Sequence, residues 1–288
     1  MYYALILLSV VMFGGCFALQ DYYRKLRGSG LRISMEAACV GAVAGLVVLL
    51  WMNGLCFEFT LFTLVMALIA AVNGIAFTFF TFQALDVINL SLFSLFSMLG
   101  GMVLPFVQGI LFYDERMTVA KGVCVIFICA ALALTVTRGQ KKRGYFYYVG
   151  VFLLNGMSGV LSKLFNELPF EKTSAVGYSI WIAICTAVLS GIAWLILSRK
   201  KQPDEPRYLW RAGVISAVSG GVNRIANFLL VLALLHVDAS VQYPMVTGGV
   251  MIVSTLICLF GERKPSKREL LSVGLAFLGM LALFIIPI

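Results

Sequence analysis

Charged residues are scarce in this sequence, and acidic residues and histidine are the scarcest. Only 12% of the 288 residues are charged, with 13 Asp and Glu and a single histidine, whereas about a quarter of an ordinary soluble domain is charged. No Ser-His-acid set and no metal-ligand set can be assembled around His236. We therefore expect a protein that is not an enzyme and that holds no metal or cofactor.

Motifs based on cysteine or on glycine loops are also missing. The seven cysteines have no CxxC spacing and lie mostly inside apolar runs, where they resemble small buried hydrophobic residues. The Gly-Gly pairs lie in apolar helices with no preceding strand, which disfavours a nucleotide-binding loop. The first 19 residues lack a basic n-region and a cleavage site, so we interpret them as a membrane helix, not as a signal peptide.

Hydrophobic residues, in contrast, make up 61% of the chain. A soluble core cannot bury that much apolar surface, so lipid must be the solvent for most of it. A membrane-spanning helix needs about 20 mainly apolar residues, and ten segments meet that requirement. They are Tyr3–Leu19, Ile33–Met52, Leu61–Phe82, Ile88–Phe112, Val119–Thr137, Tyr145–Phe165, Ala175–Leu197, Leu209–Leu235, Ala239–Phe260 and Leu270–Ile286.

The net charge of +9 comes from basic clusters between apolar runs, which disfavours a nucleic-acid partner. Of the 22 Lys and Arg residues, 17 lie in or within three residues of the links that follow helices 1, 3, 5, 7 and 9, and 4 lie in or within three residues of the links that follow helices 2, 4, 6 and 8. Lys and Arg are enriched in cytoplasmic loops. The odd-numbered links are therefore predicted to be cytoplasmic and both termini extracytoplasmic.

Two stretches of the chain are similar to each other. Asn73 and Asn223 both follow valine in an apolar run, 150 residues apart, and Glu115-Arg116 and Glu262-Arg263 both close the next apolar run, 147 residues apart. This spacing predicts a duplication, with residues 1–137 and 145–288 as five-helix repeats joined by the basic linker 138–144. Because five is an odd number, the second repeat enters the membrane in the opposite sense. The predicted fold class is thus an all-α polytopic membrane protein with ten transmembrane helices in two inverted repeats.

Short motifs in each half resemble those of the drug/metabolite transporter superfamily, and the whole chain resembles its ten-helix EamA-like proteins. Phe82-Gln83-Ala84-Leu85 and Leu232-Ala233-Leu234-Leu235 resemble the family's Y-x-A-L-like helix end, with Phe82 and Leu232 in place of the tyrosine. The segments FYDERMT and FGERKPS resemble its acidic helix endings. The resemblance implies a basket of helices around a central cavity, lined chiefly by the first, third and fourth helices of each half. It also implies alternating access, with helices 5 and 10 at the periphery.

Arg224 is the most informative polar residue, because it lies near the middle of predicted helix 8. A charged side chain at that depth costs about 2.5 to 3.5 kcal/mol on insertion scales, so it needs a partner or water. It either anchors an anionic substrate group or holds helices together. Asn223 and Asn227 flank it on the same helix and are substrate-binding candidates. Asn73, at the matching place in helix 3, either contacts substrate or makes an interhelical hydrogen bond.

Four more substrate-binding candidates lie in other helices. Asn155 shares a face of helix 6 with Ser158 and Ser162, and Ser94 belongs to a serine face of helix 4 that also suits helix packing. Gln242 and Tyr243 lie beside a proline in helix 9. The remaining candidates are for coupling or gating, and all lie at helix ends: Glu115, Glu262 and Gln20.

The sequence thus predicts a secondary transporter, and an exporter in particular, of a small polar metabolite such as an amino acid or organic anion. It would lie in the cytoplasmic membrane of a bacterium, as a monomer or homodimer, with the lipid bilayer and a small-molecule substrate as its partners. A multidrug or organic-cation exporter is one alternative, which Arg224 disfavours. A non-transporting membrane scaffold or membrane-embedded enzyme is the alternative from another class.

Overall fold

The computed structural model describes residues 2–112, 118–135, 142–199, 209–234, 236–237 and 239–285. Within these ranges the regular structure is entirely α-helical, without strands, and it comprises ten helices. They are α1 (Tyr2–Arg27), α2 (Leu31–Met52), α3 (Leu61–Val87), α4 (Leu90–Phe112), α5 (Val119–Thr135), α6 (Lys142–Glu167), α7 (Ala175–Ser198), α8 (Leu209–Leu234), α9 (Ala239–Leu259) and α10 (Lys267–Ile285).

The helical part of the prediction is therefore confirmed, and the apolar character supports a membrane protein. Among the described residues, six helical segments are long and apolar enough to cross a membrane, and they lie in α1, α2, α3, α4, α6 and α7. Shorter apolar helices occur at Gly122–Ala131 and Met245–Leu259. The helix ends differ from the predicted ones in α1 and α3, which continue to Arg27 and Val87. Polar residues in these last turns pair with neighbouring helix ends, so helix formation does not stop where the apolar run stops.

Each helix packs against a defined set of neighbours. Helix α1 contacts α8 and α9, and α6 contacts α3 and α4. Helix α2 packs between α7 and α8, while α7 also contacts α3. Helices α5 and α10 pack mainly on each other, and α10 also packs on α9. The largest apolar cluster is formed by residues of α1, α4, α9 and α10 together with parts of α3, α5, α6 and α8.

Glycines permit the closest helix crossings. A Cβ atom on Gly220 of α8 would stand 2.1 Å from the carbonyl oxygen of Gly41 in α2, and one on Gly100 of α4 would stand 2.0 Å from that of Phe152 in α6. Both distances are far below van der Waals contact, so only glycine fits at either crossing. Small residues serve this purpose in membrane helix packing, where dispersion contacts between close backbones replace the hydrophobic driving force.

Polar contacts join the links α1–α2, α3–α4 and α9–α10 at one end of the bundle, which we name the basic end. Arg24 pairs with Asp21 at 2.8 Å and with Asp86 at 2.5 Å. Arg263 donates to the carbonyl oxygen of Asp86 at 2.9 Å, and Lys25 lies 3.3 Å from Glu262. These contacts connect three links that are far apart in sequence and hold this end of the bundle together.

The links α2–α3 and α6–α7 meet at the other end, which we name the Glu58 end. The Glu58 carboxylate accepts hydrogen bonds from the backbone N–H of Ser174 at 2.6 Å and from its hydroxyl at 3.1 Å. The indole N–H of Trp181 donates to the Glu58 carbonyl oxygen at 2.8 Å. Ser174 also caps α7 by accepting from the N–H of Gly177. The start of α7 is thereby tied to the end of the α2–α3 link.

The α2–α8 crossing yields the first testable prediction. Gly220→Ala would push α2 and α8 apart and should destabilise the protein by about 1–3 kcal/mol or more, the usual range for overpacking. Gly213→Ala is the matched control in α8, because a Cβ there meets no atom within 4 Å. Thermal unfolding of the detergent-purified variants measures the difference. Equal melting temperatures for the two variants would contradict the crossing.

Candidate functional site

A cavity of about 580 Å³ lies inside the bundle, within the range of about 300–1,000 Å³ common for small-molecule sites. Its described lining comes from α1, α2, α3, α6, α7 and α8, with only Met98 from α4. Among the described residues, the fourth helices of the two halves contribute only Met98 to this lining, contrary to the expectation, whereas the second helix of each half lines the cavity. The reason is that α4 and α9 press against α6 and α1 through glycine contacts, at Gly100 and Gly249, which bury their inner faces.

Arg224 lines this cavity from α8, with Asn223, Asn227 and Phe228 beside it. Its side chain is partly exposed. Among the described residues, no carboxylate lies within ion-pair distance of its guanidinium group. The structure also gives it no hydrogen-bond partner in that part of the chain, whereas the arginines of the basic end, such as Arg24, are paired. The guanidinium therefore faces cavity space that water or a ligand can fill.

Gly45 of α2 provides the space beside Arg224. A Cβ atom on Gly45 would stand 3.0 Å from Arg224 Cγ and 3.3 Å from Arg224 Nε. These separations are tighter than ordinary carbon contacts, so a larger residue would displace the arginine stem. The sequence motifs did not point to Gly45, because the contact depends on how α2 and α8 cross. In α3, Gly74 follows Asn73 as Arg224 follows Asn223, and a Cβ on Gly74 would meet nothing within 4 Å.

Three asparagines contribute amide groups to the lining. The Asn227 amide N–H donates to Asn223 Oδ1 at 3.1 Å and to the Asn223 carbonyl oxygen at 2.8 Å. Asn155 of α6 donates to the carbonyl oxygen of Ser97 at 2.6 Å. Ser158 and Ser162 lie on the same helix face as Asn155 and line the cavity with it. The predicted polar face of α6 therefore does point into the cavity.

Asn73, Ser94 and Gln242 do not line the cavity. Asn73 is buried and donates to the carbonyl oxygen of Leu154 and to Ser158 Oγ, both at 2.9 Å. Of the two roles considered for Asn73, it therefore makes the interhelical hydrogen bond. Ser94 is buried in α4 and donates to the carbonyl oxygen of Ser91. Gln242 is buried and donates to the carbonyl oxygen of Leu230. Each side chain donates a hydrogen bond within the helix packing, but the side-chain oxygen of Gln242 is buried without a donor among the described residues.

The residues predicted to take part in coupling or gating lie in different parts of the structure. Gln20 lines the cavity, and its side-chain oxygen is buried without a hydrogen-bond donor. Glu262 lies outside the cavity at the basic end, exposed, where it pairs with Lys25. Glu115 and the side chain of Tyr243 lie outside the described part of the structure.

An aromatic pair closes the cavity toward the basic end. Tyr23 of α1 and Phe82 of α3 stack with ring centroids 5.4 Å apart, and they are 2% and 1% exposed. Ala212 of α8 is buried in the same cluster. The Tyr23 hydroxyl donates to Glu36 Oε1 at 3.3 Å. Phe82 stands out in the sequence only as a motif residue, because no local pattern indicates that Tyr23 lies opposite it.

Exposure of the lining rises toward the Glu58 end. Ser216 and Ser219, near the start of α8, are 8% and 7% exposed. Ser162 in α6, Ala175 at the start of α7 and Asn227 in the second half of α8 are all exposed. The cavity is therefore open at the Glu58 end and closed at the basic end.

Comparisons with known proteins bear on the fold alone. No protein-family model matches the chain, and no curated protein sequence matches it. Among solved structures, one crystal structure superposes with a TM-score of 0.58 at 15% sequence identity, over 95% of this chain and 96% of that chain. The arrangement of helices is therefore shared with a protein of known structure, whereas this level of identity says nothing about the ligand.

The one-sided opening predicts a difference in cysteine reactivity. In a background with the exposed Cys56 and Cys129 replaced by alanine, Ser162→Cys should react quickly with a charged, water-soluble maleimide. Ser216→Cys should react much more slowly, because Ser216 is buried near the closed end. Mass spectrometry of the purified variants gives both rates. Equal rates would show that the cavity does not narrow toward the basic end.

Proposed function

We propose that this protein is a secondary transporter that carries a small polar metabolite, either an organic anion or an amino acid, through the central cavity by alternating access. The observation that carries the proposal is the Arg224 guanidinium, which has no partner among the described residues and lies in a cavity open at one end. Ionisable residues in membrane segments are costly and most often belong to substrate or ion pathways. A guanidinium binds a carboxylate or phosphate with two parallel hydrogen bonds.

Helix contacts support the inverted repeat on which such a mechanism rests. If α1–α5 are matched in order with α6–α10, the contact of α1 with α8 corresponds to that of α6 with α3. The contacts α1–α9 and α2–α8 likewise correspond to α6–α4 and α7–α3. Transporters built from inverted repeats bind substrate between the repeats, and the cavity lies between helices of both halves.

Alternating access requires the basic end to open while the Glu58 end closes. The contacts that must separate are the Tyr23–Phe82 stack, the Arg24–Asp86 pair and the Lys25–Glu262 pair. An exposed ion pair contributes only about 0–1 kcal/mol, so pairs such as Lys25–Glu262 are compatible with a reversible closure. A transport cycle on the micro- to millisecond scale needs such modest barriers.

Organic-cation export, the alternative from sequence, receives no support from the lining. A cation site needs a carboxylate or an aromatic cage. The described lining contains aromatic rings but no carboxylate, and it carries the positive charge of Arg224. Like charges in a confined site repel each other, so this cavity disfavours a cationic substrate.

Transport itself is tested by metabolite release. Proteoliposomes loaded with a mixture of organic acids and amino acids should release some of these solutes faster than protein-free liposomes. Arg224→Gln should slow that release at least about tenfold, the effect of losing about 1.4 kcal/mol of binding, and Arg224→Lys should retain part of it. Arg211→Gln, at an exposed position on the same helix, is the control. If wild-type protein releases no solute faster than protein-free liposomes, the transport proposal is refuted.

We also propose the topology given by the positive-inside rule, in the cytoplasmic membrane of a bacterium with both termini outside. Cys56 lies in the α2–α3 link at the Glu58 end and is exposed. A membrane-impermeant maleimide added to intact cells should therefore label Cys56 in a Cys129→Ala background, and Cys56→Ser should remove the labelling. Labelling that appears only after the cells are permeabilised would place this end, and the open mouth of the cavity, in the cytoplasm.

A further inference from the structure

The charged side chains that line the cavity are all of one sign among the described residues. In that part of the chain, the lining contains one cationic side chain, Arg224, and no carboxylate. The acidic groups closest along the chain to lining residues are already engaged. Asp21, next to Gln20, pairs with Arg24 at 2.8 Å, and Glu36, next to Ala37, pairs with Arg27 at 2.7 Å with both side chains of that pair buried. None of these carboxylates is available to a ligand in the cavity.

We propose that the cavity selects an organic anion with an apolar body and no ammonium group, and that it discriminates against α-amino acids. This inference rests on the proposed transport function and decides between the two substrate classes that the function leaves open. An α-amino acid places an ammonium group two bonds from its carboxylate carbon. If Arg224 binds the carboxylate, that ammonium lies beside the guanidinium, in a confined space where like charges repel more strongly than in water.

The amide oxygens near Arg224 carry no formal charge, so they do not neutralise an ammonium group as a carboxylate would. Asn223 Oδ1 already accepts the amide N–H of Asn227 at 3.1 Å. The side-chain oxygen of Gln20 is buried without a donor, but it is remote from Arg224. Cys16 of α1 lies against the carbonyl oxygen of Ser219 of α8 at 3.4 Å, which places the backbone of Gln20, four residues further toward the basic end, about 13.5 Å along the bundle from that of Arg224 at 1.5 Å per residue.

Aromatic rings supply the contact surface for an apolar body. Phe228 follows Arg224 by one helical turn on the cavity side of α8, and Phe13 of α1 and Phe77 of α3 also line the cavity. The volume of about 580 Å³ exceeds what a two- or three-carbon acid fills. A ligand can place its carboxylate on the Arg224 guanidinium and a ring or branched chain against these phenylalanines. Such a ligand contacts both the charged and the aromatic groups of the lining.

Three ligands that share a phenyl ring and a short chain test this selectivity. They are 3-phenylpropionate, L-phenylalanine, which adds an α-ammonium group to it, and 2-phenylethylamine, which has the ammonium but no carboxylate. Isothermal titration with the purified full-length protein should give at least about tenfold tighter binding of 3-phenylpropionate than of L-phenylalanine, the difference expected when one charge is left unpaired. We expect no measurable binding of 2-phenylethylamine.

Variants show whether the preference arises at Arg224. Arg224→Gln should abolish 3-phenylpropionate binding, and Arg224→Lys should retain weakened binding with the same ligand order. Gly45→Ala should weaken binding because its Cβ displaces the Arg224 stem, whereas Gly213→Ala, which meets no neighbouring atom, should not. Thermal unfolding of each variant shows that it remains folded. If the Arg224 variants do not fold, the comparison of Gly45→Ala with Gly213→Ala still shows whether binding depends on the position of the Arg224 side chain.

The outcomes separate this inference from the transport proposal. Binding of L-phenylalanine or 2-phenylethylamine as tight as that of 3-phenylpropionate would overturn the anion preference, and so would the absence of 3-phenylpropionate binding. In either case, faster release of metabolites by wild-type proteoliposomes than by protein-free liposomes leaves the transport function standing. No such release refutes transport, whichever of the three ligands binds.

Discussion

A guanidinium group inside a membrane protein cannot be left against hydrocarbon, and the arrangement of this bundle follows from that constraint. Arg224 lies near the middle of α8, where an unpartnered charge costs several kcal/mol. No described carboxylate neutralises it, so the helices around it must leave space for water or a ligand. The cavity between α1, α2, α3, α6, α7 and α8 is that space.

Glycine makes the placement of Arg224 possible. The α2–α8 crossing is so close that the backbones of Gly41 and Gly220 touch, and one turn further along α2 Gly45 leaves room for the arginine stem. The same feature thus provides packing energy and positions the charged group. In α3 the corresponding position is Gly74, which lines the cavity without a side chain. The two halves of the protein therefore present different chemistry to the cavity, with a charge on one side and space on the other.

The two ends of the bundle differ in how they are held. Charged side chains and an aromatic stack connect three links at the basic end, whereas hydrogen bonds to Glu58 connect two links at the other. The exposed Lys25–Glu262 pair is weak in water, whereas Arg24 is buried where it pairs with Asp86. Arg24 and Asp86 lie in different helices, and so do the rings of Tyr23 and Phe82. The closed end therefore consists of contacts that can separate without unfolding any helix, which alternating access requires.

Local pattern was sufficient to predict the helices, because apolar runs of about 20 residues have no stable alternative in a bilayer. It was also sufficient to single out Arg224, since a charge in such a run is conspicuous, and to place Asn155, Ser158 and Ser162 on one face. Pattern could not separate Asn73, Ser94 and Gln242 from true cavity residues. A buried polar side chain looks the same in sequence whether its partner is a substrate or a carbonyl oxygen of the next helix.

The sequence by itself therefore determined that this is a helical membrane protein with one exceptional charge in mid-helix, because hydrophobicity and periodicity are local properties. Only the tertiary structure decided which side chains share the cavity, that the second helix of each half lines it, and that it is open at one end. These features depend on glycine contacts between residues about 180 positions apart, such as Gly41 and Gly220. Contacts of that separation are set by how the helices cross, which no local pattern records.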